Sequence, residues 1–180
     1  MFRIAPITSS PQRSTVRLVF KAAEPSDVEA VVNLRAAVAH DLTRRYGHGH
    51  WSCVASDKSV LRDIRTSRVL LAISSGIPVA TARLATKRPW AIDPKYFSPC
   101  GRVLYLTDMA VVPHLQGRGI GRRCLDYART VAAKWPVHAI RLDAYDGPAG
   151  AGQFYAKCGF TERGRVTFRN TALVYFELLL

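Results

Sequence analysis

Leu115-Gln116-Gly117-Arg118-Gly119-Ile120-Gly121-Arg122-Arg123 joins two runs of very different character. Before it, Val103 to Val112 (VLYLTDMAVV) is almost wholly apolar and reads as a buried strand that Pro113 stops. After it, Gly117 to Trp135 reads as a helix, with Leu125, Ala128, Val131 and Ala132 on one face and Arg129 and Lys134 near its end. Three glycines at alternate positions let backbone come close to a ligand. The first amides of a helix have no intrahelical acceptor and lie at the positive end of its dipole. Together they make a cradle for a pyrophosphate, to which Arg118, Arg122 and Arg123 add charge. The segment is not a P-loop, since G-x-x-x-x-G-K-[ST] is absent. Nor is it the dinucleotide fingerprint, because Arg122 stands where its last glycine belongs.

The surrounding chain supplies the other elements. Val16 to Lys21 alternates as a strand. Ser26 with Glu29 has capping-box spacing, and Val28, Val31, Val32, Leu34, Ala36 and Val38 predict a helix to about His40. A polar connection, Arg44 to Ser52, leads to a short helix over Asp57 to Thr66. Arg68 to Ile73 and Pro78 to Thr86 form a hairpin about Ser74-Ser75-Gly76. Lys87 to Gly101 carries three prolines and is a long ordered loop or a lid. His138 to Ala144 is a strand, and Ala149 to Cys158 a helix ended by Gly159. Phe160 to Phe168 and Ala172 to Leu179 are a final strand pair around Arg169-Asn170-Thr171. The order β-α-α-β-β-β-α-β-α-β-β predicts an α/β (α+β) fold, a mixed sheet of about seven strands with helices on both faces. Residues 1–15 read as a loose basic tail, and 16–180 as a single domain.

Composition narrows the class. The 180 residues are 48% hydrophobic and 22% charged, as in globular domains, and no run is long and apolar enough for a spanning helix. The N-terminus has no apolar core of secretory-signal length, so a cytoplasmic protein with reduced thiols is expected. Cys53, Cys100, Cys124 and Cys158 form no C-x-x-C pair. His48-x-His50 with Cys53 is too sparse for a metal site, and no metal is expected. The net charge of +13 predicts attraction to polyanions, among them nucleic acid or a phosphorylated cofactor. No helix-turn-helix, RRM or KH signature accompanies it, and the arginines are dispersed.

Gln116-Gly117-Arg118-Gly119-Ile120-Gly121 resembles the Q/R-x-x-G-x-G/A motif of the GCN5-related N-acetyltransferase (GNAT) family. Met109-Ala110-Val111-Val112-Pro113 is similar to that family's cofactor-binding strand, and Phe154-Tyr155-Ala156-Lys157-Cys158-Gly159-Phe160 to its F/L-Y-x-x-x-G-F segment. The resemblance spans about Val16 to Leu180. It implies the acyl-CoA N-acyltransferase fold, mostly antiparallel, with acetyl-CoA in a V between the Val103–Val112 and His138–Ala144 strands. The pantetheine arm would pair with backbone at Met109, Ala110 and Val111, and a bulge would aim the Met109 or Ala110 amide at the thioester carbonyl. Gln116, Gly117, Arg118, Gly119, Gly121 and Arg122 would hold the pyrophosphate. Tyr155 matches the tyrosine that often protonates the departing thiolate in this family. Many members carry an Asn seven residues before that tyrosine. Pro148 stands there, with neither amide hydrogen nor polar side chain.

An aliphatic ammonium, with a pKa near ~10.4, must lose a proton before it attacks. Asp108, beside the expected bulge, is the first candidate base, followed by Asp143, Glu177, His48 and His50. His48, His50 and Trp51 are the expected acceptor pocket: a flat apolar wall beside a residue type that titrates near neutrality. The expected reaction is acetyl transfer from acetyl-CoA to a small primary amine or amino-acid-like metabolite. A protein or peptide N-acetyltransferase is the alternative. A non-catalytic acyl-CoA-binding or nucleic-acid-binding module is the alternative from another class. Assembly as a homodimer is left open.

Overall fold

Seven strands form one sheet: β1 (Val19–Ala22), β2 (Arg68–Ser74), β3 (Ile77–Ala85), β4 (Val103–Val111), β5 (Ala139–Tyr145), β6 (Thr161–Phe168) and β7 (Thr171–Leu179). Their order is β1-β2-β3-β4-β5-β7-β6. The computed structural model describes residues 16–180, so the expected tail at 1–15 lies outside the described residues. Neighbouring strands pair antiparallel except β4 and β5, which run parallel.

Among the described residues, two α-helices lie on each face. On one, α3 (Ile120–Ala132) and α4 (Gly152–Lys157) bury Leu125, Ala128 and Tyr155 against Leu70, Leu104, Leu142 and Phe176. On the other, α1 (Val28–Tyr46) and α2 (Asp57–Thr66) pack Val31 and Val60 on Val69 and Leu71. Leu70 and Leu71 serve opposite faces because side chains alternate along a strand. Both hairpin turns place two residues at positive φ, Ser75 (50°) with Gly76 (78°) and Arg169 (48°) with Asn170 (61°). That is the backbone a tight two-residue hairpin requires.

The boundaries differ from expectation where local hydrogen bonds outvote the apolar pattern. Helix α1 runs past His40 to Tyr46, because Asp41 pairs with Arg44 (2.5 Å) and Arg45 (3.2 Å) and extends the helical surface, until Gly47 (φ 79°) ends it. Its entry is a 3₁₀ turn, Pro25–Asp27, tied by the Glu24 N–H donating to Asp27 Oδ2 (2.8 Å), so Glu24 stands at the cap expected of Ser26 and Asp27 takes the part expected of Glu29. β1 begins at Val19 rather than Val16, α3 at Ile120 rather than Gly117, and α4 at Gly152 rather than Ala149.

The loop 87–101 is a fastened strap. Ile92 and Phe97 are buried against Tyr105 and Tyr175. The Tyr175 hydroxyl donates to Ala91 O and accepts from the Asp93 N–H (3.3 Å). Arg141 Nη2 donates to Ser98 O (2.7 Å), and the Ser98 N–H donates to Glu177 Oε2 (3.3 Å). Glu177, 1% exposed, sits between Arg141 Nε (2.9 Å) and Arg163 Nε (2.8 Å). Such a buried carboxylate is tolerable only with its charge paired and its oxygens bonded.

Candidate active site

β4 and β5 pair only from Val103↔Ala139 to Tyr105↔Arg141, although β4 continues to Val111 and β5 to Tyr145. Beyond that pair the strands part, and a cleft of about 910 Å³ opens between them. Its lining runs from α1 and the turn after it, across β4 and the glycine segment, to β5 and α4.

On β4 the register with β3 slips between Thr81↔Ala110 and Arg83↔Thr107, so Asp108 and Met109 together oppose Ala82. This is a β-bulge, and Asp108 takes φ 52°, in the left-handed region. The Val112 N–H donates to Val79 O (3.0 Å), toward β3. Amide directions alternate along a strand, so the Ala110 N–H also faces β3, and those of Met109 and Val111 face the side that β5 has left. Met109 therefore offers the free donor, rather than Ala110.

The glycine segment closes one end. Gly117 (φ 74°) and Gly119 (φ 78°) are left-handed, and a Cβ at either would project into open space. Only glycine adopts this backbone without strain, and here it leaves a groove of bare amides. The first bond of α3 is donated by the Arg123 N–H to Gly119 O (3.2 Å), so the amides of Ile120, Gly121 and Arg122 have no helical acceptor. Gln116 Nε2 donates to Val111 O (3.0 Å) and ties the segment to the end of β4. Gly121 serves packing: a Cβ there would lie 3.0 Å from Phe154 Cζ and 3.6 Å from Met109 Cε. Arg122 lines the cleft and donates to Lys157 O across to α4. Arg118 is exposed and does not line the cleft. Arg123 turns away to Val16 O (2.5 Å) and the Phe20 ring, outside the cradle where it was expected.

Opposite the bulge, α4 presents Tyr155, 8% exposed and packed against Phe154, Phe160 and Phe176. Burial first, then the charge of Asp143 and of Cys158, pushes its phenol well above the usual range, so its proton stays on. Asp143 lines the cleft from β5 and takes part in no ion pair among the described residues. Burial pushes its carboxyl up, offset in part by a hydrogen bond with its own backbone. Tyr145, two residues on, is also raised, by burial and then by the Asp143 charge.

The α1 end is walled by Trp51, whose ring meets Tyr145 edge-on (5.1 Å) and whose Nε1 donates to Gly47 O (3.1 Å). His50 lines the cleft beside it, whereas His48 is exposed and outside the lining. No residue of 87–101 lines the cleft, so that strap is not its lid. Glu177 is outside it too. Burial alone would raise its carboxyl, but hydrogen bonds from Ser98 and Arg141 hold it below the usual range. Burial pushes the Cys124 thiol up to about 12, and Cys158 up as well, so neither is an activated nucleophile.

Asp108 is engaged. Arg83 Nη1 (3.2 Å) and Thr107 Oγ1 (3.1 Å) donate to its Oδ2, and Arg35 Nη2 stands 3.8 Å away. Beneath it Asp63, 8% exposed, receives Arg83 Nη1 (2.7 Å) and Arg35 Nη1 (3.5 Å). Sequence reading missed this group. Its one signal was Asp63 on the inward stripe of α2, three residues after Val60 and next to Ile64, where an apolar residue belongs.

The fold is shared with solved acetyltransferase structures. An N-acetyltransferase from Staphylococcus aureus Mu50 superposes with a TM-score of 0.67 at 15% identity, over 91% of this chain and 98% of that one. The yncA protein of Salmonella typhimurium, solved with its cofactor acetyl-CoA, gives 0.68 at 19% identity, over 91% and 94%. A glucosamine 6-phosphate N-acetyltransferase of rice (Oryza sativa subsp. japonica) is 33% identical over 84 residues, and the matched region spans about half of each chain, 47% of this one and 49% of the relative. The profile of the Acetyltransferase (GNAT) family matches residues 36–160. The chain belongs to the GNAT family.

Proposed function

We propose that residues 16–180 form one acetyltransferase domain that moves an acetyl group from acetyl-CoA to the primary amine of a small molecule by direct attack. The observation that carries this reading is that one cleft brings together the left-handed glycines, the free Met109 amide, Tyr155 and Asp143. The bare amides and open space at Gly117 and Gly119 fit a pyrophosphate. The backbone of Met109 and Val111, unpaired on the side that β5 has left, fits the amides of a pantetheine arm. Acetyl-CoA supplies the activated thioester.

The chain's own groups then have separate tasks. The Met109 N–H donates to the thioester oxygen as negative charge develops there. Asp143 takes the proton that the acceptor ammonium must lose, and its raised carboxyl suits a base buried in a cleft. Tyr155 keeps its proton at neutral pH and delivers it to the departing sulfur. Asp108, its carboxylate occupied by Arg83 and Thr107, supports the bulge rather than accepting a proton.

Trp51 and Tyr145 wall the acceptor end, with His50, Arg45 and Tyr46 at its rim. The rice relative, which by its name acetylates glucosamine 6-phosphate, supports a small polar amine here. Release of free thiol from acetyl-CoA, followed against a panel of amino sugars, amino acids and peptides with free N-termini, tests the reading. Turnover with small amines supports it, and turnover with peptides alone replaces it by a protein N-acetyltransferase.

A further inference from the structure

Among the described residues, Asp108 is the one non-glycine residue of the cleft at positive φ, and it adopts it at the bulge that turns the Met109 amide outward. Asp tolerates this region better than most residues but does not prefer it, so something must hold it. Two guanidiniums do, from two different elements: Arg83 on β3, 3.2 Å from Oδ2, and Arg35 on α1, 3.8 Å away. Both are themselves held by a third element. Asp63 on α2 receives Arg83 at 2.7 Å and Arg35 at 3.5 Å, and its side chain and that of Arg35 are only 11% and 10% exposed. Without Asp63, two cations, one of them nearly buried, would face the single carboxylate of Asp108. Nothing would then fix the direction from which they pull on it.

We propose that Asp63 is a positioning residue for acetyl transfer: through Arg83 and Arg35 it locks Asp108 in the left-handed conformation that aims the Met109 N–H into the cleft. This rests on the reading of the cleft as the transfer site. Its effect is confined to the reacting end, because the pyrophosphate cradle at Gly117 to Arg122 shares no hydrogen bond or ion pair with the group. The device also ties α2, and α1, which lines the acceptor end, to the strand that carries the oxyanion donor.

The test compares Asp63→Asn, which keeps shape and removes charge, in the wild-type and Asp108→Gly backgrounds. Glycine reaches φ near 52° without support, so it should uncouple the bulge from the arginines. In the wild-type background Asp63→Asn should lower kcat on the order of tenfold to a hundredfold. Calorimetry should find its affinity for CoA within about twofold of wild type. In the Asp108→Gly background the same change should cost about threefold or less. Backbone scalar couplings and carbon shifts of Asp108, read by NMR without ligand, should leave left-handed values in Asp63→Asn. Equal losses in both backgrounds, or an Asp108 backbone unmoved by Asp63→Asn, would overturn the proposal. Arg83→Gln carries the same pair of predictions should Asp63→Asn fail to fold. If the wild-type protein acetylates nothing, the proposed function fails, while the Asp108 backbone still decides whether Asp63 holds the bulge.

Discussion

Tyr105 and Arg141 are the last residues at which β4 and β5 stand side by side. Three residues past Tyr105 comes the bulge at Asp108, and two past Arg141 comes Asp143. The groups assigned to the chemistry therefore flank the point where the sheet opens. The parting is stable because each strand keeps its other neighbour: β4 pairs with β3 out to Val111, and β5 with β7 out to Tyr145.

Tyr155→Phe should lower kcat by about 10²-fold or more, within the range of general acid catalysis. The ring packs on Phe154, Phe160 and Phe176 and those contacts survive the change, so affinity for CoA should hold. Steady-state kinetics beside calorimetry separates the two. A kcat within about twofold of wild type would remove the tyrosine as the acid.

Gly119→Asp should abolish CoA binding. The new Cβ and carboxylate enter a groove of bare amides, and the backbone there has φ 78°. Gly119→Ala should weaken binding less, because it brings the Cβ and the backbone strain without a negative charge. Calorimetric titration of both variants reads this ordering, and an Asp variant that binds like wild type contradicts the cradle.

Asp143 gives a pH prediction with a defined sign. Its folded carboxyl is raised by burial, so it becomes a base only as pH rises through a value above the usual carboxylate range. The acid limb of kcat/KM should lie in that raised range and be lost in Asp143→Asn. The same shift makes the ionised group a cost to the fold. Stability from the protonated form is complete below the unfolded pKa and is lost as pH rises through the folded one. Asp143→Asn should therefore raise Tm at pH 7 and leave it unchanged near pH 3, by scanning calorimetry at both. A lower Tm at pH 7 would contradict it.

The glycine segment, the buried strand before it and the Phe154–Phe160 segment were legible because each joins composition to spacing. Strand count and the succession of elements along the chain followed from alternation and turn residues. What stayed hidden depends on contacts distant in sequence. That 87–101 is a strap and not a lid rests on Tyr175 meeting Ala91 and on Arg141 meeting Ser98, pairings no local pattern encodes. That Met109 rather than Ala110 offers its amide depends on the register with β3. Asp108 looked like a base by adjacency, and its partners Arg35 and Arg83 lie 73 and 25 residues away along the chain. His48 and His50 looked equivalent in sequence, yet only His50 reaches the lining.

Glu177→Ala should destabilise the fold by about 3–5 kcal/mol, since it leaves Arg141 buried without its carboxylate. For a chain of this size that is on the order of 10 °C in Tm. The folded carboxyl is depressed, so its stabilisation is present above the unfolded pKa and is lost as pH falls through the folded one. The variant should thus show a smaller loss of Tm on acidification than wild type. A Tm within about 2 °C of wild type at pH 7 would contradict the role given to this pair.

The cleft between β4 and β5 is expected to bind an acyl-CoA, and thermal unfolding measured in parallel with acetyl-CoA, CoA and ATP tests this. A ligand at about 100 times its Kd adds about 2.7 kcal/mol, roughly 5–10 °C at this size. Such a rise is expected with acetyl-CoA and with CoA, and none with ATP. No rise with either thioester or thiol at millimolar concentration would contradict it.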